Sequence, residues 1–72
     1  MLGDEAIRDA VLRALREDAA TTDLVVDVEV NEGIVVLRGQ VGFIEDAENA
    51  EEVAARVPGV VEVDEELDVQ DL

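Results

Sequence analysis

The side chains that could do chemistry in this chain are almost all carboxylates. Twenty Asp and Glu face five Arg, there is no Lys, His or Cys, and the net charge is −15. Paired carboxylates can divide acid and base roles, but only in a cleft that raises the pKa of one of them. Here they alternate with apolar residues along strand-like segments, which reads as exposed strand faces. Without His there is no imidazole general base and no zinc site of the usual kind. Thr21 and Thr22 are the hydroxyls of the chain, which has no Ser. Neither has a His to activate it, so no nucleophile arrangement stands out.

The stretch NEGIVVLRGQVG, Asn31 to Gly42, gathers three glycines and invites three site readings. A phosphate loop places its glycines between a strand and a helix, with a Lys at the helix start. Gly39 and Gly42 do follow a strand-like run, but Glu45 and Asp46 occupy the helix start that follows, where they would compete with an anion. Gly39-Gln40-Val41-Gly42 fits the GXXG pattern of RNA-binding KH modules, yet it leaves a strand and carries no basic residue. Asp27, Glu29 and Asn31 have the spacing of calcium-loop ligands, but Gly33 falls one position late and Arg38 stands where a Glu is needed. The glycines therefore read as structural. Gly33 supplies a positive-φ turn position, and Gly39 allows close approach of a helix or a bulge where a strand ends.

The elements that carry these residues follow from apolar periodicity. Asp4 to Glu17 predicts a helix with Ile7, Val11, Ala14 and Leu15 as its stripe. Asp4 is placed to cap it, and Asp4–Arg8 and Asp9–Arg13 are spaced for ion pairs. Ala19 to Asp23 is a polar connection. Leu24 to Val30 predicts a half-buried strand with Leu24, Val26, Val28 and Val30 inward. Asn31-Glu32-Gly33 is a hairpin loop, and Ile34 to Arg38 a central strand. Glu45 to Val57 predicts a second helix with the stripe Ala47, Ala50, Val53, Ala54 and Val57, ended by Pro58-Gly59. Val60 to Val69 predicts a third strand. Val61, Val63, Leu67 and Val69 point inward on it, and Glu62, Asp64, Glu66 and Asp68 form an outer charged row suited to an edge. The order α-β-β-α-β implies an α+β two-layer sandwich, two helices on one face of a three-stranded sheet, as a single domain over residues 1–72. A crossover through the second helix could set the third strand parallel to the second.

Apolar residues make up 49% of the chain, with one Phe and no Trp or Tyr, so an aliphatic core is expected and there is no aromatic platform for stacking bases. The acidic surface repels nucleic acid and anionic headgroups. No apolar run is long enough to span a membrane. The start lacks a secretory pattern, which implies a cytoplasmic protein as written, or a periplasmic one if the chain is a piece of a longer protein.

The pattern as a whole resembles the BON domain, a module first noted in bacterial osmotically induced and nodulation proteins. Gly33, Val35, Leu37, Gly39 and Val41 fall at the spacing G-x-V-x-L-x-G-x-V. Ala47, Ala50 and Ala54 follow on the second helix, and Val57 to Val63, V-P-G-V-V-E-V, matches v-x-G-V-x-x-V. The resemblance runs from about Ile7 to Val69. It implies the same fold, no catalytic residues and no cofactor. The implied role is binding, to phospholipid surfaces or to other proteins, with cation binding in some members. Glu65 stands where Asn is common, and Val36 and Arg38 where polar residues are usual.

A non-enzymatic interaction module is the leading expectation. Its binding face is the open side of the sheet, with Val25, Ile34, Val36 and Arg38 rimmed by Asp27, Glu29, Glu62 and Asp64. The partner would be a protein, a sister domain or another copy of the chain, or a phospholipid surface, and not nucleic acid. The alternative is an acidic domain that binds potassium or calcium through Glu62, Asp64, Glu66 and Asp68, with Asp71 in the tail.

Overall fold

The computed structural model describes residues 3–70; Asp71 lies outside them. Helix α1 spans Asp4–Glu17, β1 Asp27–Asn31, β2 Ile34–Val41, α2 Ile44–Ala55 and β3 Glu62–Val69. The sheet order is β1-β2-β3, with β2 antiparallel to β1 and parallel to β3. The expected α+β sandwich is what forms, a mixed three-stranded sheet covered by two helices.

Burial follows the sequence periods. Ile7, Val11 and Leu15 on α1 are buried, as are Ala47, Ala50, Val53 and Ala54 on α2. Alternate residues Val35, Leu37 and Val41 of β2 meet them from the sheet. Every buried apolar side chain of the core is Ala, Val, Leu or Ile. The alanines of α2 let that helix lie close to the strands, where larger side chains would hold it away.

The start of α1 departs from expectation. Gly3 is the N-cap and provides no side-chain hydrogen bond. The Asp4 carboxylate instead accepts from the amides of Glu32 at 2.8 Å and Gly33 at 3.1 Å. Those residues form the two-residue turn between Asn31 and Ile34, with φ of 52° and 80°. Both central residues of such a turn need positive φ so that its twist matches the strands. Glycine does this freely, Glu32 does not, and the Asp4 carboxylate holds its amide in place. Asp4 is thereby committed across the fold, and the ion pairs Asp4–Arg8 and Asp9–Arg13 are not formed. The Arg8 Nε donates to the Val28 carbonyl at 2.9 Å.

The strand boundaries also shift. β1 begins at Asp27 rather than Leu24, and turns over residues 19–23 lead into it. Thr21 N donates to Asp18 O, and Leu24 N to Thr21 O. β2 runs through Gly39 to Val41. Gly39 has φ of 132°, and a Cβ there would stand 3.1 Å from the Val25 carbonyl. The close approach is therefore to the chain entering β1, not to a helix, and the strand does not end there. Helix α2 stops at Ala55, two residues short of Val57, though Val57 is still buried. β3 starts at Glu62. Val61, expected inward, is 78% exposed. It lies over the hairpin, where its amide donates to the Gly33 carbonyl at 2.8 Å and its side chain covers Gly33. At α2, Asp46 reaches back to accept from the N-cap amide of Phe43 at 3.2 Å, half of a capping box, since Phe43 has no side-chain acceptor.

Candidate partner-binding face

Strand β2 sorts its residues by parity. Odd positions pack under the helices and even positions reach the open face, where the register sets three rows across the strands. Asn31, Ile34 and Glu62 form the first; Glu29, Val36 and Asp64 the second; Asp27, Arg38 and Glu66 the third. Gln40 and Asp68 continue the pattern. Two aliphatic side chains thus stand in the middle of the face with acidic columns on either side. Ile34 is 37% exposed and Val36 is half-buried between its neighbours.

Arg38 joins the two columns. Its Nη1 lies 2.6 Å from Glu29 Oε2 and its Nε 3.2 Å from Glu66 Oε1. Its hydrogen bond to Glu66, then the charge of Glu29, raises its pKa further and holds the guanidinium protonated. Glu66 is held below the usual carboxylate range by that hydrogen bond from Arg38, then by one from Asp64. Asp64 moves the other way. Its protonated form hydrogen-bonds Glu66, and this raises its pKa first; lost solvation and the charges of Glu66 and Glu62 add to the rise. One arginine does not neutralise the face.

Of the expected binding residues, Ile34, Val36 and Arg38 come together on β2. Val25 lies outside the strands, two residues before β1, and is 87% exposed. The expected cation ligands Glu62, Asp64, Glu66 and Asp68 all lie on β3 at alternate positions. Strand geometry spaces such residues by about 6.6 Å along the chain, and among the described residues no three acidic side chains converge to hold a metal ion. A hollow also lies in the helical layer. It is a shallow groove of about 450 Å³ between the C-terminal halves of α1 and α2, lined by Ala10, Arg13, Ala14, Val53 and Val57, with Arg56 and Asp18 paired at 3.5 Å.

Sequence reasoning missed Thr21. It is fully buried, and its Oγ1 donates to the Leu15 carbonyl at 2.6 Å, satisfying a carbonyl freed at the end of α1. Nothing in a Thr-Thr pair within a polar stretch separates the buried hydroxyl from the exposed one.

The sequence matches the BON domain over residues 3–71. The chain belongs to the BON domain family. BON domains are associated in general with protein or phospholipid interactions. None of the curated proteins compared with the chain matches it. Within this BON domain, the motif glycines Gly33, Gly39 and Gly59 all have positive φ: Gly33 at the hairpin, Gly39 opposite the Val25 carbonyl and Gly59 in the turn after α2.

Proposed function

We propose that this BON domain is a non-enzymatic binding module that docks a partner protein on the open face of its sheet. The observation that carries this reading is the row pattern: Ile34 and Val36 side by side on the central strand, framed by Glu29, Asp64 and Glu62. An apolar centre with a polar rim is the anatomy of a recognition surface. The frame is acidic, so the partner that fits has an apolar centre and a basic rim. Electrostatic steering by this surface would speed its encounter.

Val36→Asp places a charge in the centre of the face without touching the core. It is expected to leave the circular dichroism spectrum unchanged and to abolish association through this face. Sedimentation of wild type and variant at matched concentrations tests association between copies. For a different partner, amide shifts on β2 during titration with a Lys-rich amphipathic peptide supply the readout. Shifts confined to other surfaces would rule the face out.

A phospholipid surface is the second reading, and Phe43 with Ile44 favours it. They are 56% and 49% exposed at the start of α2, an apolar pair able to enter a lipid interface. Glu45 and Asp46 follow at once, so neutral headgroups suit the site better than anionic ones. Vesicles of phosphatidylcholine and of phosphatidylglycerol, each floated with wild type and with Phe43→Ser, distinguish this reading from the first.

A further inference from the structure

A three-stranded sheet has two edges, and each strand at an edge carries backbone groups with no partner strand. On β1, residues Asp27, Glu29 and Asn31 turn their backbone groups toward β2, as the two-residue hairpin closing at Asn31 and Ile34 requires. Val28 and Val30 therefore face outward. On β3 the amide of Gln70 donates to Val41 in β2. Alternation then turns the amides of Val63, Glu65, Leu67 and Val69 outward. Exposed rows of this kind are templates for a further strand.

One outward group on each edge is already taken by a charged side chain. The Val28 carbonyl accepts from Arg8 Nε at 2.9 Å. The Leu67 amide donates to Glu65 Oε2 at 2.7 Å. Glu65 is a carboxylate on the helix-facing side of β3, half-buried between Val63 and Leu67, where the strand pattern calls for an apolar residue. Its position has no use in the core and no part in the acidic face. We infer that Arg8 and Glu65 are guards that close the two edges of the sheet, and that the edge Glu65 closes would otherwise pair with β3 of a second copy of this chain.

The occupant follows from symmetry, and charge opposes it. Two β3 strands related by a two-fold axis can pair antiparallel, each offering the same outward residues. Such pairing also sets Glu62, Asp64, Glu66 and Asp68 of one copy against those of the other. That like-charge ladder is a second barrier, and salt screens it, whereas the hydrogen bond of Glu65 remains. The two barriers are therefore separable.

The experiment uses the full chain with Val36→Asp, so that association through the open face does not contribute, in about 1 M NaCl, where screening acts over about 3 Å. Three proteins are compared: this parent, the parent with Glu65→Val and the parent with Glu65→Gln. Gln keeps an acceptor for Leu67; Val suits a strand and removes it. In dilute solution the Leu67 amide should exchange about fivefold to tenfold faster in Glu65→Val than in the parent. As protein concentration rises to millimolar, Glu65→Val alone should sediment as a dimer, with exchange slowing at Val63, Leu67 and Val69. Glu65→Ala serves in the same role if the valine variant does not fold. Leu67 exchange that is the same in all variants, or a strictly monomeric Glu65→Val and Glu65→Ala, would overturn the assignment. Dimers of the Gln variant equal to those of the valine variant would also overturn it, since the acceptor would then be irrelevant. Failure of the open-face reading would leave these outcomes untouched, because they are read on β3 amides alone.

Discussion

Val36 and Leu37 are neighbours on one strand and belong to different proteins in a physical sense. Leu37 is fully buried beneath the helices; Val36 lies between Glu29 and Asp64 on the open face. Apart from Glu65, the helix-facing side is made largely of aliphatic residues that exclude water. The open side carries Asp27, Glu29, Glu62, Asp64, Glu66 and Asp68 with Arg38 among them. The buried core lies on the first side and the proposed docking surface on the second, and a period of two residues separates them. A change of one position along β2 should therefore move an effect from folding to binding.

The largest effect is expected at Leu37. Leu37→Ala removes a fully buried side chain from the central strand, a change that typically costs about 2–5 kcal/mol. For a domain of this size that is a large part of the total, which runs at about 0.05–0.15 kcal/mol per residue. The urea midpoint should fall sharply or the variant should not fold. A midpoint close to that of wild type would show that the core does not centre on β2.

Salt should come next. With twenty acidic and five basic residues, most carboxylates have no cationic partner, and the described ion pairs involve only Arg38 and Arg56. Repulsion on the open side therefore acts against the packing on the other. Screening shortens from about 10 Å at 0.1 M salt to about 3 Å at 1 M, so stability should rise steeply and then flatten. A gain of about 1 kcal/mol corresponds to roughly 4–8 °C in the melting temperature of a domain this small. Sodium and potassium chloride should give superimposable curves. A clear difference between them at equal ionic strength would instead favour a selective cation site.

The contrast sharpens with Val36→Ala. Removing methyl groups from a half-buried position at about 0.8 kcal/mol per fully buried group should cost below about 1 kcal/mol, several times less than Leu37→Ala. Partner binding should weaken all the same. If Val36→Ala destabilised as much as Leu37→Ala, the open face would be a second core and not a docking surface.

Much of this division was legible in the sequence, because period-two alternation decides which side a strand residue takes. Ile7, Val11 and Leu15, the alanines of α2, and the acidic row of β3 all lie where periodicity puts them. What escaped depended on contacts between distant segments. Asp4 is a plausible cap by position, but the hairpin amides at Glu32 and Gly33 compete for its carboxylate and win. Val61 has the parity of a core residue, yet the strand does not begin until Glu62, and Val61 closes over a glycine instead. Alternation carried back from β1 treats Val25 as a strand residue, whereas β1 begins only at Asp27. Glu65 stands out in the sequence only as an acid where Asn is common in the family, and its hydrogen bond to Leu67 cannot be read from residue type.

The smallest effect tests the electrostatics of the face by its dependence on pH. Asp64 has a raised pKa in the folded state, mainly from the hydrogen bond its protonated form makes to Glu66. A carboxyl whose pKa rises on folding takes up a proton with folding, so its contribution is favourable below its unfolded pKa and is lost as pH climbs through the folded one. At neutral pH, Asp64 is therefore ionised at a cost to the fold. Glu66 has the opposite sign. Its lowered pKa, set first by Arg38, contributes stability above the unfolded value and loses it as pH falls through the folded one. On acidification from neutrality, the contribution of Asp64 should rise first, and that of Glu66 should fade at lower pH. Asp64→Asn separates the two. The amide can donate to Glu66 at every pH, so the variant should be slightly more stable than wild type at neutral pH, and the difference should shrink as Asp64 of the wild type becomes protonated. Melting curves across the acidic range, with both proteins at fixed ionic strength, measure this directly. A difference that stayed constant with pH would show that Asp64 and Glu66 do not share a proton, and that Arg38 alone organises the centre of the face.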